Sequence, residues 1–165
     1  MLTRRKSLLV STGIFSLAAL ALVGCGNTQT ATTLAQAQAY ADALVDAAAA
    51  AVATLDQSNI DASVKSAADA ALAMAQSARD QLKTITASDL STAKSIANTV
   101  LTALTSLASI PQIMALLGPA GSYFMLGLAV IRAFIANLQL PPNAPANPPP
   151  QLHVQAVALR SRLHN

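Results

Sequence analysis

The chain has 165 residues, of which 53% are hydrophobic and 10% charged, and its formal net charge is +3. Three of its ten cations lie at residues 4–6, so the other seven balance the seven Asp and do not support a nucleic-acid footprint. A single Cys excludes an internal disulfide and any multi-cysteine metal site.

The first 24 residues have the pattern of an export signal. A cationic start, with Arg4 and Arg5, precedes an uncharged run at residues 8–23 that is rich in Leu, Ala and Val. The run has about 16 residues, whereas a transmembrane helix needs roughly 20. We therefore predict a cleaved signal peptide over residues 1–24.

The signal ends in Leu22-Val23-Gly24-Cys25, which resembles the lipobox of bacterial lipoproteins. The resemblance covers the leader alone and implies cleavage before Cys25 and acylation of its thiol and new amine. Several acyl chains make a firm anchor, since each buried methylene contributes about 0.8 kcal/mol. Gly26 is not the Asp that retains such proteins at the inner membrane, which implies the outer membrane, facing the periplasm, in a host with two membranes. The alternative is an unmodified Cys beside an ordinary signal.

The start of the signal also resembles a twin-arginine export signal. Arg4 and Arg5 are both present, and Leu8 fits the apolar position after them, whereas Ser7 and Leu9 depart from the usual residues. A general secretory signal that contains two arginines is the alternative route.

The body predicts an all-α fold, an Ala-rich bundle of four to five helices over residues 34–140. Ala, the commonest residue, has the best helix propensity, and no alternating strand pattern is sustained. Apolar steps of three and four residues predict helices over residues 34–55, 60–85 and 89–109. Asp61 or Asn59 is the expected cap of the second helix and Ser88 that of the third. The stripe of the second helix is Ile60, Val64, Ala67, Ala71, Ala75, Ala78, Leu82 and Ile85.

No charged residue lies between Lys94 and Arg132. This stretch holds two apolar pieces separated by a Gly-Pro-Ala-Gly turn at residues 118–121, and Pro111 suits the start of the first piece. We expect the second piece, residues 123–138 with Ser122 as its cap, to be a central buried helix that supplies bulky side chains. The alternative is a membrane hairpin with the turn at its tip.

The segments around the bundle have simpler compositions. Residues 25–33, the lipidated Cys and a small polar stretch, are predicted to be a tether. The Pro-rich residues 141–150 are typical of a semi-rigid spacer. Residues 151–165 are basic and contain a short helix, marked by Leu152, Ala156, Leu159 and Leu163, that either packs on the bundle or touches the membrane.

The sequence contains no catalytic constellation, and we expect no enzyme, no cofactor and no metal site. The two His, His153 and His164, lie in the terminal segment. Asp42 and Asp46 stand four residues apart on one helix face, a spacing that suits acid–base work or a hard cation but is more often a solvated face.

These observations lead to three hypotheses of function. The first is a lipid-anchored cell-envelope protein with a structural or interaction role, attached to the membrane by its lipid and contacting a protein partner or a second copy through Ala-rich helices. The second is a membrane-active hairpin, a pore-former or a lysis accessory. The third is a carrier of hydrophobic ligands beside the small Ala side chains.

Overall fold

The computed structural model describes residues 25–137 and 145–164, with the side chains of the first helix described from Leu34 onward. These residues form helices and no strand, which confirms the predicted all-α bundle. The predicted signal peptide, residues 1–24, lies outside the described residues, and so do residues 141–144 of the Pro-rich segment. The elements are α1 (Cys25–Asp56), α2 (Ala62–Thr84), α3 (Leu90–Ala108), α4 (Pro111–Leu117), a 3₁₀ turn (Gly118–Ala120), α5 (Gly121–Ile135) and α6 (Pro150–Leu163).

Helix α1 is the central element of the bundle, because it packs against each of the other five α-helices. Around it, α2 packs on α3, α3 on α5, and α5 touches α6. The α1 backbone is helical from Cys25, so the segment predicted as a tether continues the helix. The buried apolar residues of α1 are Leu34, Ala37, Tyr40, Ala41, Leu44, Val45, Ala47, Ala48, Ala50, Ala51, Val52 and Leu55.

The second apolar piece forms a helix with a buried side, as expected, but the expectation that it would be the central helix is wrong. Helix α5 leaves Met125 about half exposed and Arg132 exposed, whereas α1 is buried on several faces. Small Ala side chains let neighbouring axes approach toward the lower end of the 8–10 Å range. A helix with five partners therefore favours Ala, and the bulky residues of α5 fill the space on one side of it.

The caps of α2 and α3 are both aspartates. The Asp61 carboxylate accepts a hydrogen bond from the Ser63 amide at 2.8 Å, as one of the two alternatives predicted. Asp89 accepts from the Thr92 amide at 3.3 Å and caps α3, so the prediction of Ser88 is wrong by one residue. In the predicted stripe of α2, Ala75, Ala78 and Leu82 are buried, but Ala67 is exposed and Ala68 takes its place.

The predicted break between the two apolar pieces is confirmed. Gly118 has φ +52°, a conformation that glycine adopts without strain, and it ends α4. Helix α5 then begins at Gly121, two residues earlier than predicted. The Ser122 hydroxyl does not cap it but donates to the Pro119 carbonyl at 3.1 Å. The helix ends at Ile135, and Asn137 follows at φ +54°, which Asn tolerates at a helix end.

One stretch of the described residues, Pro111–Ile135, is long and apolar enough to cross a membrane. In this fold it is broken at Gly118, and 44% of its most apolar window is buried inside the protein. The buried bulky residues of α5 include Phe124, Ile131 and Phe134. This stretch therefore supplies the large side chains that the Ala-rich helices lack.

Helix α6 packs against α1 and buries Leu152, Ala156 and Leu159. The C-terminal helix thus packs on the bundle, as one of the two alternatives predicted. Just before this helix, the Pro145 and Asn147 carbonyls accept from the Tyr40 hydroxyl at 3.0 and 3.4 Å. The end of the Pro-rich segment is thus held against α1.

Candidate functional site

The most densely charged part of the described chain is a group of six side chains where α1, α2 and α6 meet. Arg79 is at its centre and only 18% exposed, with Nη1 lying 3.4 Å from Asp46 Oδ1 and 3.7 Å from Asp42 Oδ1. Its Nη2 lies 2.9 Å from Asp80 Oδ1. Lys83 pairs with Asp42, and Arg160 Nη2 is 4.0 Å from Asp46 Oδ1. We call these six residues the Arg79 cluster.

Helical spacing explains how the cluster assembles. Asp42 and Asp46 are four residues apart on α1, and Arg79 and Lys83 are four apart on α2, so each pair lies on one face of its helix. Packing of α2 against α1 brings the two faces together, and α6 adds a cation at the edge. The cluster contains three cations and three carboxylates, so it is formally neutral.

These ion pairs bear on the three uses considered for the two carboxylates of α1, which are acid–base work, a cation site and a solvated face. The side chains of Asp42 and Asp46 are 43% and 46% exposed, so they lie on a partly solvated face, and Arg79 stands within ion-pair distance of both. A metal ion would have to displace the guanidinium. The geometry instead suits a fixed contact between α1 and α2. The acids of α1 and the cations of α2 have the same four-residue spacing, so their pairing favours one register of the two helices.

Three polar side chains bind the carbonyl ends of other helices. The Gln38 amide donates to the Leu82 carbonyl at 2.8 Å, at the end of α2. Lys65 Nζ donates to the Asp56 carbonyl at 2.7 Å, at the end of α1. Gln155 of α6 donates to the Leu116 carbonyl at 2.8 Å, in α4. Each adds a side-chain donor to a carbonyl near the end of a helix, where the regular intrahelical bonds run out.

Tyr40 is a fully buried side chain with a polar end. Its ring lies in the core, and its hydroxyl reaches the two carbonyls of the Pro-rich segment. Burial raises the pKa of the Tyr40 phenol above its ordinary value. The residue therefore couples α1 to the segment that leads into α6 and does so as a neutral donor.

Most of the residues predicted to direct export and lipidation precede the first described residue, Cys25. Arg4, Arg5, Leu22, Val23 and Gly24 lie outside the described residues. The Cys25 backbone begins α1, and nothing is described of its side chain.

The two histidines lie at opposite ends of α6. His153 is in the first turn, and His164 directly follows the helix. At 1.5 Å per residue they are about 16 Å apart along the axis, too far to act on one substrate atom together. Within residues 25–137 and 145–164, no group of three or more His, Cys, Asp or Glu side chains is placed to hold a metal ion.

The tertiary partners at these positions were missed by sequence reasoning. Gln38, Lys65 and Gln155 bind carbonyls 44, 9 and 39 residues away, respectively. The available signal for the cluster was the four-residue spacing of Asp42 and Asp46 and the same spacing of Arg79 and Lys83. It could be interpreted only with the knowledge that α1 packs against α2.

Comparisons with protein-family profiles, with curated proteins and with solved structures find no match to this chain.

Proposed function

We propose that this protein is exported and held at the cell envelope by lipid on Cys25, with its helical body acting as a structural or protein-binding module. The observation that carries the proposal is the Leu22-to-Cys25 motif directly after a cationic and apolar leader. The proposed location is the outer membrane, facing the periplasm, in a host with two membranes.

The body supports a binding role rather than catalysis. Its charged centre, the Arg79 cluster, is neutral and joins helices through mutual ion pairs, which is a structural use of titratable groups. The cap interactions of Gln38, Lys65 and Gln155 also hold helices to one another. A bundle stabilised in this way offers fixed helix faces to a partner or to a second copy.

The anchor is tested by the intact mass of the protein purified from its native host, beside a Cys25→Ser variant. We expect a chain that begins at residue 25 and carries acyl mass, and a variant that lacks this mass and is not processed at this bond. An unmodified chain cut elsewhere would refute the anchor. A full-length chain would instead favour residues 8–23 as the membrane attachment.

The export route and the membrane are tested in the same host. Replacing Arg4 and Arg5 by Lys keeps the positive charge but removes both arginines. If export stops, the protein uses the twin-arginine route. If export is unchanged, it uses the general secretory route. Gly26→Asp is expected to move the protein from the outer to the inner membrane fraction.

An interaction role predicts cross-linked or co-purified species at native abundance, and a monomer with no partner would contradict it.

A second candidate function is a membrane-active hairpin, which the length and hydropathy of Pro111–Ile135 favour. To insert, this stretch would have to withdraw buried side chains such as Phe124 and Phe134 from the core. A processed protein that stays soluble and monomeric without detergent, and releases no dye from vesicles, would refute this candidate. Acyl material extracted from the purified protein would instead favour the ligand-carrier hypothesis.

A further inference from the structure

The charges of the chain divide sharply between its two halves. All seven Asp lie between residues 42 and 89, whereas residues 90–165 contain four Lys or Arg and no acid. In the fold, the acids therefore belong to α1, α2 and the turns next to them, with Asp89 as the cap of α3. Helices α3, α4, α5 and α6 carry no carboxylate side chain.

Large exposed apolar side chains concentrate on the acid-free helices. The described residues include four of them: Met74 on α2, Met125 on α5, and Val154 and Val157 on α6. Val154 is 64% and Val157 48% exposed, although both lie on a helix that buries Leu152, Ala156 and Leu159 against α1. Helix α6 is thus apolar on its inner side, and it also exposes two valines on its outer side, where His153 and Ser161 lie beside them.

The cations of α6 border the exposed valines. At about 100° per residue, Val154 and Val157 lie near the middle of the exposed arc, with Arg160 on one border and Arg162 on the other. We call these four residues the α6 outer face. Among the described residues, Arg162 has no ion pair, and Arg160 reaches only Asp46, at 4.0 Å.

We propose that the α6 outer face docks on the surface of a bilayer that contains anionic phospholipid. A helix lying in the interface presents apolar side chains between flanking cations, because the apolar side enters the acyl boundary while the long basic side chains reach the headgroups. Residues 90–165 contain no acid, and Asp46 of α1, which lies beside the face, is paired with Arg160, so little repulsion opposes the approach of an anionic surface.

The other side of the protein supplies an internal contrast. Met74 on α2 is 51% exposed, close to the value for Val157, but its helix carries Asp69 and Asp80. Apolar exposure alone would make both sides equally attractive to lipid. Charge complementarity favours α6. The proposal stands on α6 and does not depend on the anchor, which would only keep the body within reach of the membrane.

The test uses single tryptophans, because the chain contains none. Protein from the native host, in its processed form, carries Val157→Trp, Val154→Trp or Met74→Trp, and circular dichroism confirms folding of each. Tryptophan emission is recorded with phosphatidylcholine vesicles and with vesicles that also contain phosphatidylglycerol, with and without bromine-labelled acyl chains. Attachment through the N-terminus affects the three proteins alike, so the comparison isolates the contact of α6.

We expect the emission of Val157→Trp and Val154→Trp to shift to the blue and to be quenched by the brominated lipid only with phosphatidylglycerol, and that of Met74→Trp to change with neither vesicle. Adding Arg162→Gln to Val157→Trp should weaken the response about fivefold, the value for one cation at such a surface. Lys94→Gln removes the same charge from α3 and should change it little.

Three results would overturn the proposal. No shift of either α6 probe with phosphatidylglycerol would leave the face to a protein partner. A shift that depends on protein concentration without lipid would assign it to a second copy. Equal responses of the α2 and α6 probes would mean that the body inserts without using this face. None of these results bears on the mass of Cys25, so the anchor and the docking face succeed or fail separately.

Discussion

Gly127→Ala tests the close approach of α5 to α1. A Cβ at residue 127 would lie 2.9 Å from both δ carbons of Leu44 and 3.0 Å from its Cγ. Leu44 is fully buried, so its side chain has little room to move away. Overpacking of this kind costs about 1–3 kcal/mol. Replacing a mid-helix Gly by Ala also stabilises the helix by up to about 1 kcal/mol, because Ala has the higher helix propensity. We expect a net loss of about 0.5–2 kcal/mol in the free energy of unfolding.

The assay is urea unfolding followed by circular dichroism, with Gly121→Ala as the matched control. A Cβ at residue 121 would meet the terminal Cε of Met114 at 3.1 Å, the flexible end of a partly buried side chain. We therefore expect the control to change stability by less than about 0.5 kcal/mol, since Met repacks readily.

A double mutant shows whether the contact with Leu44 is the cause. Leu44→Ala alone should cost about 2–5 kcal/mol, because it opens a cavity in the core. In the double variant the new methyl at residue 127 has that space available, so the combined loss should be smaller than the sum of the two. Additive losses, or a Gly127→Ala variant as stable as the Gly121→Ala control, would refute the reasoning.

Three further predictions concern backbone strain, the Arg79 cluster and a buried phenol. Gly118→Ala should lower the free energy of unfolding by about 1–3 kcal/mol through its φ of +52° alone, because nothing lies within 4 Å of the added methyl; unchanged stability in urea would contradict this. Arg79→Met should cost about 1 kcal/mol, a loss that shrinks in about 1 M NaCl, whereas Arg162→Met, which removes no ion pair among the described residues, should cost little in the same titrations. Tyr40→Phe should cost about 0.5–1.5 kcal/mol near neutral pH for the bond to Pro145. The raised pKa of Tyr40 means that its folded form resists ionisation, so the wild-type protein should lose stability above about pH 10 as the unfolded phenol ionises. That loss should be smaller in the Phe variant when unfolding is measured from about pH 8 to 11, and parallel pH curves would show that Tyr40 contributes nothing to it.

Local features of the fold were predictable because they depend on neighbours in the chain. The Asp61 cap, the Pro111 start and the Gly118 break follow from the backbone preferences of those residues. The Ser88 error has the same local origin, since Ser and Asp are adjacent and both suit a cap. The α-helices of the described chain therefore follow the predicted order, and their bounds differ most at the start of α1, which begins at Cys25 rather than at residue 34.

Features that join distant segments were not predictable in the same way. The spacing of Asp42 and Asp46 suited acid–base work, a cation or, more often, a solvated face, and gave no sign of the ion pairs with Arg79, which lies on another helix. The side chain of Gln38 gives no sign that its acceptor is the Leu82 carbonyl, 44 residues away. Such interactions depend on how the helices cross, which no local pattern specifies.

The sequence by itself determined the helical class, the places where helices stop and the partition of charge between the two halves, since each depends on composition and near neighbours. Only the tertiary structure decided which helix is central and which face of α6 remains outside. Hydropathy favoured the bulky α5 for the centre, but a helix with five partners must be narrow, and the alanines of α1 satisfy that requirement. Burial of Leu152, Ala156 and Leu159 then left Val154 and Val157 exposed, because one rigid helix cannot turn both sides inward.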